Sequence, residues 1–281
     1  MDISKEITKD VFEKWIPAAK MPERNDSVYK RMAPFFQQAL MKAQWTFFGD
    51  GFKQLIDDDE YKDDVIAYIC QYAFVTAISS LDLVLTGTGF GIVSTNDTSP
   101  ASQQRVKALR DDLQWQRQLS AMRIIDRLRK VKGWGDTTEA ATLIGSFYYN
   151  PEYLEKFGPR DVSLSLIDNW LSVRVYQHSA ETLIRRELSF EYYTEVLKKL
   201  RSASMSNADL IVYYHSLDFI AEYINAVRQN RQVPNVKSWG LRDYLEKYLN
   251  DFPAYQNSSL YSKLHTEHYK NKKNDTSFFF V

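Results

Sequence analysis

The chain has 281 residues, 44% of them apolar, and a formal net charge of zero because 36 Lys and Arg balance 36 Asp and Glu. This length is typical of one large domain or two small ones, and the neutral balance argues against a globally basic nucleic-acid binder. The single cysteine, Cys70, excludes a disulfide framework and indicates a reducing compartment. The opening residues carry no apolar run typical of a secretory signal. The most apolar stretch, 65–78, is shorter than the roughly 20 residues of a membrane span.

Apolar spacing in the first half, residues 1–135, predicts helices over about 2–16, 28–48 and 61–85. Pro34 falls inside the second pattern, so we expect either a kink there or a helix that starts near Ala33. The third helix is apolar on nearly all sides. A helix of that kind is normally buried all round, and we expect it at the centre of a bundle.

A glycine-rich stretch, residues 81–105, separates the third helix from the fourth. Its glycine spacing differs from the dinucleotide fingerprint, and it follows a helix rather than a strand, so we predict no phosphate site. We expect a shaped loop with a short β element at 90–93, followed by a helix capped by Ser99. The loop residues that we expect to contact a neighbouring molecule are Gly87, Gly89, Phe90 and Gly91.

The fourth helix, about 100–132, carries apolar residues on two opposite faces. A simple surface helix has one such stripe, so this helix is either sandwiched inside the chain or uses its second face against a neighbouring subunit. Its many basic residues form either a solvated face or a surface for nucleic acid. The second apolar face consists of Trp115, Leu119 and Met122.

The second half, residues 136–269, again has helical patterns, over about 163–186, 190–201, 207–228 and 239–249. Within the first of them, Val173 and Val175 also allow a local strand. Ser206 and Asp209 have the spacing of a capping box at the start of the third helical pattern. Both halves could belong to one domain. We therefore predict a mainly α fold, a helical bundle with a short β element in the glycine-rich loop and an extended C-terminal arm at 270–281.

The arm ends in an aromatic run after a polar spacer. Such a run is costly to leave in water, so we expect it to pack on the chain's own core or to insert into a partner, with disorder as the third alternative. The aromatic residues that we predict as an anchor are Phe278, Phe279 and Phe280.

Signatures of common enzymes are absent from the sequence, including the P-loop, G-x-S-x-G and H-E-x-x-H patterns. His265 and His268 could share a helical face, but a structural zinc site needs about four ligands. We therefore predict no catalytic residues, no cofactor and no metal site. Two alternatives remain open: a cytoplasmic helical enzyme with an unrecognised site, and a helical nucleic-acid-binding protein.

Two segments carry a family resemblance. The first is residues 83–106, which run from Leu-Val-Leu-Thr-Gly-Thr-Gly-Phe-Gly through Ser-Pro-Ala-Ser to Arg-Val. The second is the charged tail with its terminal phenylalanines, residues 271–280. They are similar to an uncharacterised family from phages and prophages of Bacteroides-type gut bacteria, crAss-like phages included. The resemblance implies a virion protein related to head–tail connector, adaptor or ring proteins, with no catalytic residues to carry over.

A protein of that kind is assembled in the bacterial cytoplasm and resides in the virion. The resemblance implies a homo-oligomeric ring of about twelve copies whose contacts are heterologous. The expected partners are the portal protein and other tail or ring proteins, with DNA passing through the lumen without sequence readout and with no membrane.

Overall fold

The computed structural model describes residues 5–19, 27–81, 83–86, 89–92, 102–154 and 160–266. Over these residues the predicted mainly α fold is confirmed. Up to residue 135 the helices are α1 (Lys9–Trp15), α2 (Ser27–Arg31), α3 (Ala33–Ala43), α4 (Asp59–Leu81) and α5 (Gln103–Leu128). After it they are α6 (Thr138–Leu143), α7 (Leu166–Leu188), α8 (Phe190–Arg201), α9 (Asn207–Arg228), α10 (Leu241–Lys247), α11 (Pro253–Gln256) and α12 (Ser259–Leu264).

Helix α4 is the central helix of the first half, packed against α3 and α5. Its buried residues come from nearly all of its sides, as the sequence predicts. Burial raises the pKa of the Cys70 thiol to about 12, so this cysteine is an unreactive core residue. By length and composition alone α4 could cross a membrane. However, 67% of its apolar window is buried inside the protein, which is the property of a core helix.

The starts of α3 and α5 show how local chemistry sets helix boundaries. Helix α3 begins at Ala33 and places Pro34 in its first turn, where the missing N–H costs no hydrogen bond. Helix α5 begins later than predicted. Its cap is Ser102, not Ser99, and the Ser102 side chain accepts a hydrogen bond from the Arg105 backbone N–H. Residues 93–101 lie outside the described residues.

After α4 the backbone forms two short antiparallel strands, β1 (Leu83–Thr86) and β2 (Gly89–Ile92). Helix α4 therefore ends at Leu81, four residues before the predicted end at 85, because the apolar residues that continue its pattern belong to β1. Gly89, Phe90 and Gly91 lie in β2, and Gly87 is outside the described residues. A contact between this loop and a neighbour stays a prediction.

The two halves meet around residues 133–136. Trp134 is fully buried, and its indole N–H donates to the carbonyl of Phe47 at 2.8 Å. Gly135, the next residue, contacts the second half. A Cβ on Gly135 would lie 3.0 Å from the backbone of Arg201, so only glycine fits comfortably there. Buried apolar residues form one cluster that extends from Ile7 to Tyr255. The described parts of both halves therefore share a continuous core.

Candidate interaction surfaces

The predicted second face of α5 is largely covered by the chain itself. Trp115 is 5% exposed and Met122 is 8% exposed, while Leu119 is half-buried. Helix α5 packs against α4 and also against α7, so the sandwiched alternative accounts for its two apolar stripes. An intersubunit contact through Trp115 or Met122 would have little exposed surface to use.

Two arginines of α5 are bound to a carboxylate of α4. The Arg123 Nε lies 2.6 Å from Asp64 Oδ1, and the Arg127 Nη2 lies 3.2 Å from Asp64 Oδ2. Beside them the Ser120 hydroxyl donates to Gln71 Oε1 at 3.0 Å. These polar contacts join α4 to α5 within an otherwise apolar interface and fix their register.

Arg129, the residue directly after α5, links the two halves. The Arg129 Nε donates to the Leu200 carbonyl at 2.6 Å, and its Nη1 donates to the Tyr149 hydroxyl at 3.0 Å. These three arginines therefore pair with groups of the same chain. They do not form a free basic patch of the kind that binds a nucleic-acid backbone.

Glu181 is a buried carboxylate in the second half. Its Oε1 accepts hydrogen bonds from the backbone N–H groups of Phe147, at 2.7 Å, and Tyr148, at 3.2 Å. Burial raises the pKa of this carboxyl group. A raised pKa is typical of a general acid. Here, however, the carboxylate is 5% exposed and satisfies two backbone donors, so it anchors a loop.

Asp209 is a second buried carboxylate with a structural role. It completes the predicted capping box with Ser206 at the start of α9, which confirms that prediction. It also accepts a hydrogen bond from the Tyr192 hydroxyl at 3.0 Å and pairs with the Lys199 ammonium at 3.1 Å. Burial alone would raise the pKa of Asp209, but the hydrogen bonds from Ser206 and Lys199 outweigh it and lower the pKa.

The histidines are not brought together in the described part of the chain. His178 and His215 are exposed on α7 and α9, and His265 stacks on Tyr261 with ring centroids 4.0 Å apart. Among the residues that the structure describes, no group of three or more His, Cys, Asp or Glu side chains could hold a metal ion. His268 lies outside that part.

A cleft of about 500 Å³ lies between the first half of α5 and the start of α7; we call it the α5/α7 cleft. The Lys107 ammonium at its wall lies 2.5 Å from Asp111 and 3.2 Å from Asp168. These hydrogen bonds raise the pKa of Lys107, and hydrogen bonds from Ser165 and Lys107 lower the pKa of Asp168. Both changes move the pKa further from neutral pH. The groups therefore stay charged and are poor acid–base catalysts, but they suit a charged docking surface.

From this cleft an exposed apolar stripe follows α7. Leu171 is 56% exposed and Val175 is 71% exposed. With Asp168 they occur at helical spacings of three and four and so share one face, and Leu164 lies at the cleft just before the helix. We call these four residues the α7 outer face. Sequence reasoning missed this face, although the helical spacing places Leu171 and Val175 opposite the buried side of α7.

Exposed large apolar residues are concentrated in the second half. In the described part of the chain, only two of the twelve precede residue 135. The ten in the second half are Val162, Leu164, Leu171, Val175, Phe190, Ile211, Tyr214, Val233, Tyr248 and Leu264.

Comparison with known proteins gives one match. A family model described as "Family of unknown function (DUF6712)" matches residues 29–142, less than half of the chain. No curated protein and no solved structure matches the chain. The similarity to this family thus covers the bundle around α4 and the junction at Trp134, and the α7 outer face lies beyond it.

Proposed function

We propose that this chain is a phage virion structural protein, a head–tail connector that assembles as a ring around the DNA channel. The observation that carries the proposal is the α7 outer face, where Leu171 and Val175 are more than half exposed on a helix whose other side is core. Exposed apolar side chains grouped on one face of a helix are a feature of protein–protein interaction sites. The resemblance of the glycine-rich segment and the terminal phenylalanines to phage structural proteins supports this class of assembly.

In the proposed ring, each copy presents the α7 outer face to a different surface of the next copy. A heterologous contact of this kind closes into a ring when its rotation allows closure. The short β element and its loop, together with the C-terminal arm, extend the contacts to neighbours. The portal protein and other tail proteins lie above and below, and DNA passes through the lumen without base-specific contacts.

The test is the mass and shape of the purified full-length chain, alone and mixed with the portal protein of the same phage genome. We expect closed rings in electron micrographs and a native mass that is a multiple of 32.9 kDa. A protein that stays strictly monomeric in both samples would contradict the proposal.

A further inference from the structure

We propose that the arm of one copy, residues 270–281, binds the α5/α7 cleft and the α7 outer face of the next copy. The inference rests on the proposed ring and names the receptor for its arm. Three properties of the chain support it: the charge of the arm and the cleft, the apolar surface of α7, and the position of α12, the last described helix before the arm.

The charges of the cleft and the arm are complementary. Asp111, Asp112 and Asp168 line the cleft with Lys107, which leaves a net charge of −2 from three carboxylates and one ammonium. The arm opposes them with Lys270, Lys272 and Lys273 against Asp275, a net charge of +2. Pairs at an exposed surface add little affinity, but they orient a docking segment and exclude wrong partners.

The apolar part of the arm matches the apolar part of the surface. Three phenylalanines and a valine, 278–281, follow the lysines in the sequence. On the surface, Leu171 and Val175 follow the charged cleft along α7. An arm that places its lysines in the cleft would therefore carry its aromatic rings onto exposed leucine and valine, where their burial excludes water from both.

The last described helix before the arm begins at the opposite end of α7 from the cleft. The last described helix, α12, is held there because the Ser259 backbone N–H donates to Glu191 Oε1 at 3.0 Å, just beyond the C-terminus of α7. Helix α7, Leu166–Leu188, is about 33 Å long. The start of α12 and the proposed receptor thus lie at two ends of α7, as a head-to-tail ring contact requires.

The same geometry disfavours the chain's own cleft as the receptor. A fully extended segment from residue 267 to residue 278 spans at most about 40 Å. From the end of α7 where α12 is anchored, a segment of that length would have to run back along the helix with little slack to reach its own cleft. In a head-to-tail arrangement, the cleft of the neighbouring copy can lie next to the start of this copy's arm.

Photo-cross-linking of the full-length protein tests the inference. Phe279→p-benzoylphenylalanine is prepared in unlabelled and ¹⁵N-labelled form, and the two are mixed, assembled and irradiated. We expect mass spectrometry to find mixed-isotope cross-links from position 279 to peptides within 161–175. Leu171→Asp should reduce these cross-links about tenfold or more, the effect of ~1.4 kcal/mol. Met41→Asp, at an exposed apolar residue of α3, should leave them unchanged.

The native mass of each sample is measured in parallel, which separates the two proposals. In an assembled ring, single-isotope cross-links alone would show that the arm binds its own chain. Cross-links to another surface, or none at all, would show that the α7 outer face is not the receptor. Each of these outcomes overturns the inference and leaves the ring standing. A monomeric sample of the protein that carries only the Phe279 replacement would overturn the ring and the inference together.

Discussion

The helices α4 and α7 have the same length, 23 residues, but their surroundings differ. Helix α4 is buried on nearly all sides, and its polar partners on α5 are bound inside the chain. Helix α7 is buried on one side and exposes leucine and valine on the other. A matched family model covers the first helix and not the second. The first half therefore supplies a closed scaffold around α4, whereas the second half offers the surface on which we place assembly.

The largest expected effect is at the junction of the halves. Trp134→Ala should lower the free energy of unfolding by about 3–5 kcal/mol, because it leaves a cavity between Phe47 and the second half and removes an indole hydrogen bond. Chemical denaturation measures this loss, and the wild-type protein should unfold in a single transition. The control is Trp45→Ala, at a residue 64% exposed, with a change within about 0.5 kcal/mol. Two separate wild-type transitions would mean that the halves are independent domains.

The next effect is at Glu181 in the second half. Glu181→Ala leaves the backbone N–H groups of Phe147 and Tyr148 without their acceptor, which should cost about 2–4 kcal/mol at neutral pH. Glu181→Gln keeps an acceptor oxygen and should cost less than about 1 kcal/mol. Equal losses in both variants would show that the two backbone hydrogen bonds do not carry the effect.

The pH dependence of stability sharpens this prediction. Because the folded-state pKa of Glu181 is raised, the folded protein holds this proton more tightly than the unfolded chain. The proton-linked part of the contribution of Glu181 to stability is therefore present at low pH and is lost as pH rises from the ordinary value of 4.5 through the folded-state pKa, whereas the two backbone hydrogen bonds to the carboxylate remain. Glu181→Gln should remove this fall from denaturation curves measured at several pH values. An unchanged profile would contradict the assignment.

Asp209 should show the opposite sign. Its pKa is lowered in the folded state, so its stabilisation is present above the ordinary value of 3.8 and is lost as pH falls through the lowered value. Asp209→Asn removes the ion pair with Lys199 and should cost about 1–3 kcal/mol at neutral pH. The difference between wild type and variant should shrink in acid. A difference that grows in acid would be inconsistent with the ion pair.

The smallest effect on stability is expected on the α7 outer face. Leu171→Asp should change the free energy of unfolding by no more than about 0.5 kcal/mol, because the side chain already meets water in the monomer. If the free energy of unfolding fell by several kcal/mol, Leu171 would belong to the core. The exposed side of α7 would then no longer distinguish it from the buried α4.

The sequence predicted those structural features that are determined by residues close together in the chain. The burial of α4, the helix start at Ala33 and the capping box of Ser206 follow from composition and spacing. The start of α5 did not, because Ser99 and Ser102 both suit a cap and the sequence offers no means to choose between them. The end of α4 was missed because the apolar residues of β1 continue the helical pattern.

The candidate surface depended on contacts distant in sequence. Trp115 and Met122 form a second apolar stripe on α5, and only the folded structure shows that this stripe is covered. Conversely, Leu171 and Val175 belong to the helical pattern predicted over about 163–186, and that pattern alone does not show which of its apolar residues the other helices leave uncovered. Which stripe stays uncovered is decided by how the helices assemble.

The most direct test of the central claim is the native mass of the full-length protein, measured in parallel for wild type, Leu171→Asp and Met41→Asp over the same concentration range. We predict that wild type and Met41→Asp form an assembly whose mass is a multiple of 32.9 kDa, and that Leu171→Asp stays monomeric while retaining the wild-type free energy of unfolding. An assembly that Leu171→Asp leaves intact would contradict the claim that the α7 outer face is the contact between copies.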